Sequence, residues 1–161
     1  MVSIAKYSQE IRNGKIHIHS QESSICPICL SDMRVIGSRD RKVIGRDGQW
    51  QTFVIRRLRC KGCGHIHHEL PDFLIPYKRH CTETIEEVVS DKGPENILSR
   101  PTAARIRAWW KVTGQYLRNI LLTLTAKYGV HFLEPLRMKE IVRAAVNSHS
   151  WVHTRSVLTS G

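Results

Sequence analysis

Two short cysteine motifs carry the chemistry in this chain: Cys26-Pro27-Ile28-Cys29 and Cys60-Lys61-Gly62-Cys63. A CxxC turn sets two thiolates on one side of a tight loop, and two such loops together make the four-sulfur cage that suits zinc. Pro27 stiffens the first loop, while Gly62 and Gly64 permit the positive φ that a backbone wrapping a metal needs. The spacing predicts one structural Zn2+ per chain, held by Cys26, Cys29, Cys60 and Cys63. The alternatives are four ordinary core cysteines, disulfides, or a redox CxxC. A redox pair needs a βαβ context, and here a basic hairpin follows instead. His65 or His67 is a candidate substitute ligand, and His67 or Glu69 a candidate partner behind the sulfurs. His17 and His19 share one strand face and read as exposed side chains rather than ligands. Cys81 belongs to no CxxC and reads as a free thiol.

Charge supplies the second signal. Lys and Arg number 25 against 14 acids, for a formal net charge of +11 and a pI near 9.9. Such an excess points to a polyanionic partner, nucleic acid before membrane. It is concentrated between Met33 and Cys63, where nine Lys/Arg face two acids. Most of the nine are arginines, whose planar fork matches phosphate oxygens and base edges. Arg39, Arg41, Lys42, Arg56, Arg57 and Arg59 are therefore candidate DNA contacts, although some cations there neutralise a four-thiolate site instead. Few cysteines outside the metal-like pairs, no apolar signal segment and no 18-residue apolar run predict a cytoplasmic, nucleoid-associated protein. No Gly-rich phosphate loop, Ser/His/Asp order or paired-carboxylate motif occurs, so neither an enzyme nor a small-molecule substrate is expected.

The elements that must position these residues follow from local pattern. Residues 1–24 read as an N-terminal arm or lead-in strand. Residues 25–80 read as a zinc ribbon: extended runs at 33–38 and 41–44, an Asp47-Gly48 turn, a return strand at 50–59, and a third strand ended by Pro71. Phe53, Ile55, Arg57 and Arg59 share one face of the return strand, and Thr52, Val54, Arg56 and Leu58 the other. Residues 81–161 read as a helical domain. Thr82 caps a helix at 83–90, Asp91 to Pro94 break it, and residues 95–98 form a short turn. A long helix follows Ser99 and Pro101 and is stopped by Gly129; a last one spans 135–147. Short helix, break and arginine-rich helix outline a helix-turn-helix, with Thr102, Arg105 and Arg107 on its DNA-reading side. A plain helical hairpin with Trp109 and Trp110 in its core fits as well. The expected fold class is α+β: a small antiparallel zinc ribbon followed by a helical, helix-turn-helix-like region.

The block from Cys26 to Glu87 resembles an uncharacterised bacterial zinc-ribbon family related to the N-terminal DNA-binding region of insertion-element transposases. The resemblance is carried by Cys26-Pro27-Ile28-Cys29, Val35 to Arg39, Ile55 to Cys60, Cys63-Gly64, Ile66 to Asp72 and Ile75 to Arg79. It continues through Arg105 to Trp110 and Trp151 to Ser156. It implies duplex DNA binding linked to mobile elements, with a transposase or another protein as a further partner. It does not imply cleavage: the acids downstream of Glu87 (Asp91, Glu95, Glu134 and Glu140) fall in a break or on helices, with no room for a nuclease core. The other reading is a ribbon adaptor that binds RNA or a protein.

Overall fold

The computed structural model describes residues 1–90, 98–132 and 136–152. Among these residues six strands and three helices follow one another: β1 (Val2–Ile4), β2 (Tyr7–Arg12), β3 (Lys15–Ser20), β4 (Met33–Ile44), β5 (Trp50–Cys60), β6 (Ile66–Pro71), α1 (Thr82–Val89), α2 (Arg100–Tyr128) and α3 (Met138–Asn147). The sheet order is β1-β6-β5-β3-β2, with β4 along the other edge of β5.

The expected fold class is corrected on two counts. The cysteines do not sit on a small ribbon of their own, because residues 1–24, read as an arm, supply three strands of a six-stranded mixed sheet. β1 pairs in parallel with β6 and β3 in parallel with β5. Parallel partners are joined through long connections, so no local turn signal announces them. β2 and β3 do carry such a signal, the Asn13-Gly14 turn with both residues at positive φ, the chemistry of a two-residue hairpin. Nor do the described residues show a helix-turn-helix. α1 ends at Val89 and α2 starts only at Arg100, whereas that motif joins its helices through 3–4 residues. α2 is instead a 29-residue helix closed by Gly129 at φ 65°, a left-handed cap that glycine adopts without strain. The break expected at 91–94, most of the turn at 95–98, and residues 153–156 of the resemblance lie outside the described residues, as do Glu134 and Pro135 at the start of the expected last helix.

β4 and β5 form the long central hairpin. Its turn falls where Asp47-Gly48 places it, with Gly48 at φ 76° and the Gly45 N–H donating to Gln49 O at 2.9 Å. A bulge at Ile36 shifts the register between Val35 and Gly37. The edge of β5 away from β4 is shared: β3 pairs at Phe53 and Val54 near the tip, β6 at Arg57 to Arg59 near the base. Phe53, Ile55, Val43, Ile4, Ile18, Leu70 and Leu74 fill the sheet's core, and Phe73 stacks on Phe53 with centroids 5.0 Å apart. Each fully buried side chain of this size contributes about 1.5–3 kcal/mol.

A second core joins the helices. Ile106, Trp109, Leu117, Ile120 and Leu121 of α2 lie on one helical stripe and pack with Ile85, Ile141, Val142 and Val146. Ile75 enters the same cluster from the β6–α1 connection. The end of α3 is tied to the sheet by one amide: Asn147 Oδ1 accepts from the Ser3 N–H at 2.7 Å, and its Nδ2 donates to Ser3 O at 2.9 Å. Arg143 and the Ala5 N–H both reach Glu22. Helices and sheet thus hold the chain that runs into the first cysteine pair.

Candidate metal centre

The two CxxC loops close on each other through matching backbone geometry. In the first, the Cys26 N–H takes Ser31 O at 3.0 Å; in the second, the Cys60 N–H takes His65 O at 2.9 Å. Each loop turns back through one left-handed residue: Gly64 at φ 74° in the second, Leu30 at φ 61° in the first. Leu30 therefore fills a position that glycine would occupy at less cost. Gly62 serves a different end from the one its type suggests. Its φ is not positive, and a Cβ there would collide with the Ser31 hydroxyl and come 3.3 Å from Cys29 Sγ. Close approach of one loop to the other is what it allows. Lys61 N–H to Asp32 O at 2.9 Å completes the clasp.

The four sulfurs converge. Cys26 Sγ lies 3.6 Å from Cys63 Sγ, and Cys29 Sγ 3.3 Å from Cys60 Sγ. All four lie within 4.8 Å of one another, a group that can hold a metal ion. No disulfide links them. Cys26 and Cys60 are buried, Cys63 is half-buried and Cys29 is exposed. Ser31 donates to Cys29 and brings its thiol down to about 6. At Cys63 the His65 backbone favours the thiolate, but desolvation and the neighbouring sulfurs outweigh it and push the thiol up to about 12. Sulfurs this close cannot all ionise unaided, and a cation at their centre removes the conflict.

His67 stands behind the site. Its Nε2 is 3.4 Å from Cys26 Sγ and its Nδ1 is 3.2 Å from the Met1 ammonium. An ammonium only donates, so Nδ1 accepts and Nε2–H points at the sulfur. Desolvation, reinforced by the Met1 ammonium, lowers His67 to about 4, which keeps it neutral. His67 is thus a partner of a ligand, as its position suggested. Glu69 is not: buried on the same face of β6, it accepts from Arg56 Nε at 2.6 Å and Arg56 Nη2 at 2.7 Å, and from Ser24 Oγ at 2.6 Å. That cluster fixes the approach to Cys26. His65 contributes its carbonyl. Cys81 sits at the N-terminus of α1, its Sγ 3.1 Å from Thr84 Oγ1. Ser31 and Leu30 carry no motif of their own; only their offsets from Cys26, equal to those of His65 and Gly64 from Cys60, mark them.

The hairpin cations divide by face, since directly paired residues project to the same side. Arg34 pairs with Arg59, Gly37 with Arg57, Arg39 with Ile55 and Arg41 with Phe53. Arg34, Arg39, Arg41, Arg57 and Arg59 therefore share one face, with His68 opposite Arg57 on β6. Arg34, Arg39 and Arg59 are exposed, while Arg41 and Arg57 are half-buried. Lys42 and Arg56 lie on the other face, together with Asp40 and Cys60. There Arg56 is engaged by Glu69, and Asp40 by Lys15 at 2.6 Å. In the first turns of α2, Thr102 Oγ1 is bonded to Ser99 Oγ, Arg105 is exposed, and Arg107 Nε donates to Val88 O at 3.1 Å.

A family model described as Domain of unknown function (DUF6431) matches residues 26–109, more than half of the chain. The chain belongs to the DUF6431 family. The matched span opens on Cys26, contains both cysteine pairs and the whole β4–β5 hairpin, and closes at Trp109 in α2. Neither the curated proteins nor the solved structures contain a match to the chain. Among the described residues, no helix is long and apolar enough to cross a membrane.

Proposed function

We propose that this protein is a non-catalytic, zinc-stabilised binder of duplex DNA. The reading is carried by one observation: five arginines share a face of the β4–β5 hairpin on which no carboxylate lies. Arg34 and Arg59 stand directly opposite each other, and like charges so placed cost stability. A cost of that kind is offset when phosphates arrive between the guanidiniums. Phosphate contacts dominate affinity in this mode, and the interaction falls steeply with salt.

The metal is zinc in this reading. A zinc–thiolate bond of about 2.3 Å sets tetrahedral sulfurs about 3.8 Å apart, and the sulfur pairs at 3.3 and 3.6 Å lie close to that cage. Four thiolates with no open position make a structural site rather than a catalytic one. The ion holds the base of the hairpin, so the arginines keep their register. The association with mobile elements rests on the resemblance to transposase N-terminal regions alone.

Fluorescence anisotropy with a labelled duplex, across a salt series, tests the reading. Binding at low salt that weakens linearly on a log–log plot supports it, and no binding at low salt removes it. Tighter binding of RNA of equal length transfers the function to RNA. Metal analysis is expected to return about one zinc per chain.

A further inference from the structure

The arginine face ends in a pocket. Where the face meets the apolar core, Arg39, Arg41, His68 and Tyr77 surround a cavity of about 70 Å³ floored by Ile55 and Leu70. Arg41 is the unusual member. Its Nη2 donates to the carbonyls of Ile75 at 3.4 Å and Lys78 at 2.5 Å, while its Nε is buried with no partner. No carboxylate among the described residues ion-pairs with Arg39, Arg41 or Arg57. Burial and then the neighbouring Arg39 act against the charge on Arg41, and Tyr77 in the pocket wall offsets them only in part. His68 is likewise held below its ordinary range, by desolvation and then by Arg39 and Arg57. Burying a cation without a counter-charge is costly. The backbone carbonyls relieve part of that cost and leave the Nε unsatisfied.

We infer that this pocket binds a single phosphate-type oxyanion, which supplies the counter-charge that the chain withholds. Three features fit the ligand. The cavity has room for one tetrahedral oxyanion. Two guanidiniums offer the planar, charge-assisted donors that phosphate prefers. The carbonyls of 75 and 78 fix the Arg41 plane in advance, so little side-chain entropy is lost on binding. The phosphate is either free or the terminal monoester of a nucleic acid strand. The inference deepens the DNA reading and rests on it only for the second source.

The test uses the full, zinc-loaded chain at low ionic strength. Inorganic phosphate is titrated while amide and arginine side-chain NMR signals are followed, with matched chloride as the control. Saturable shifts at Arg39, Arg41 and His68 are expected. Arg39→Gln is expected to weaken phosphate binding about tenfold or more, as removal of a charge-assisted hydrogen bond should. Arg12→Gln, on β2 and away from the arginine face, should leave phosphate affinity within about twofold. Absence of saturable binding, or equal losses in both variants, overturns the inference. Duplexes of one sequence with and without a 5′-phosphate then separate the sources. Preference for the phosphorylated end assigns the nucleic acid, and equal affinity assigns free phosphate. DNA binding without phosphate binding defeats the pocket alone; phosphate binding without DNA binding defeats only the DNA reading.

Discussion

The two faces of the β4–β5 hairpin are built from the same residue types and managed in opposite ways. On the metal side, Arg56 meets Glu69 and Asp40 is met by Lys15 of β3, which leaves Lys42 as that face's one hairpin cation without a carboxylate among the described residues. On the far side, Arg34, Arg39, Arg41, Arg57 and Arg59 have none among the described residues. Alternation along two strands is enough to separate a structural charge network from a surplus. A count of hairpin cations therefore overstates the unpaired charge, because the face on which a side chain projects decides its partners.

The largest effect should come from the site that supports both faces. Binding free energy at small thiolate–zinc sites is about 10–16 kcal/mol, as large as the stability of a whole domain. Cys60→Ser, or chelation, is therefore expected to abolish cooperative thermal unfolding and to collapse the dispersion of the NMR signals of β5 and β6. An unchanged Tm after complete metal removal would contradict the role of the centre. Next comes the balanced face. Arg56→Ala leaves Glu69 buried without its cation, a loss of about 3–5 kcal/mol in urea unfolding. Arg56→Ala combined with Glu69→Gln should recover much of that loss. At temperatures where the single variant is folded, its DNA salt dependence should barely move.

The surplus face should respond in the reverse sense. Arg34→Gln together with Arg59→Gln is expected to lower the log–log salt slope by about 1.8, near 0.9 for each phosphate no longer neutralised. Stability of the double variant should hold or rise by about 0.2–1 kcal/mol, because an opposed like-charge pair is relieved. A drop in stability, with the slope intact, would place these arginines in the scaffold instead. The smallest effect is a pH limb. His68 is depressed below its ordinary value of 6.5 by desolvation and the arginines. The unfolded chain therefore takes up the proton first, and stability present above pH 6.5 declines as pH falls below it. His68→Gln should flatten that limb below about pH 6.5, read as the difference from wild type so that acid effects on the thiols cancel.

Local motifs announce the metal centre, and the coordinates bring the same four sulfurs together. The hairpin turn is equally legible, because Asp47-Gly48 dictates its own geometry. What escapes is what depends on distant partners. The alternation of Ile16 and Ile18 suits a strand, but nothing local states that β3 lies parallel to β5 or β1 to β6. The helix boundaries at Arg100 and Gly129 follow from Pro101 and a left-handed cap. A tight turn between α1 and α2 rests on outline alone, and the separation of the two helices overturns it. The roles of Arg41 and Arg56 are hidden for a related reason. Ile75 O, Lys78 O and Glu69 lie well along the chain from the arginines they engage, so residue type and spacing predict exposure where the fold provides a partner. Gly62 shows the same limit: its type is informative, but the neighbour it makes room for is not written beside it.

The amide of Asn147 has a consequence beyond joining α3 to β1. By occupying both polar groups of Ser3 it caps the short edge strand β1, much as a further strand would. One side chain thereby closes this edge of the sheet, whose other edges are β2 and β4. Asn147→Ala strands the buried Ser3 N–H and carbonyl and is expected to cost about 1–3 kcal/mol in urea unfolding.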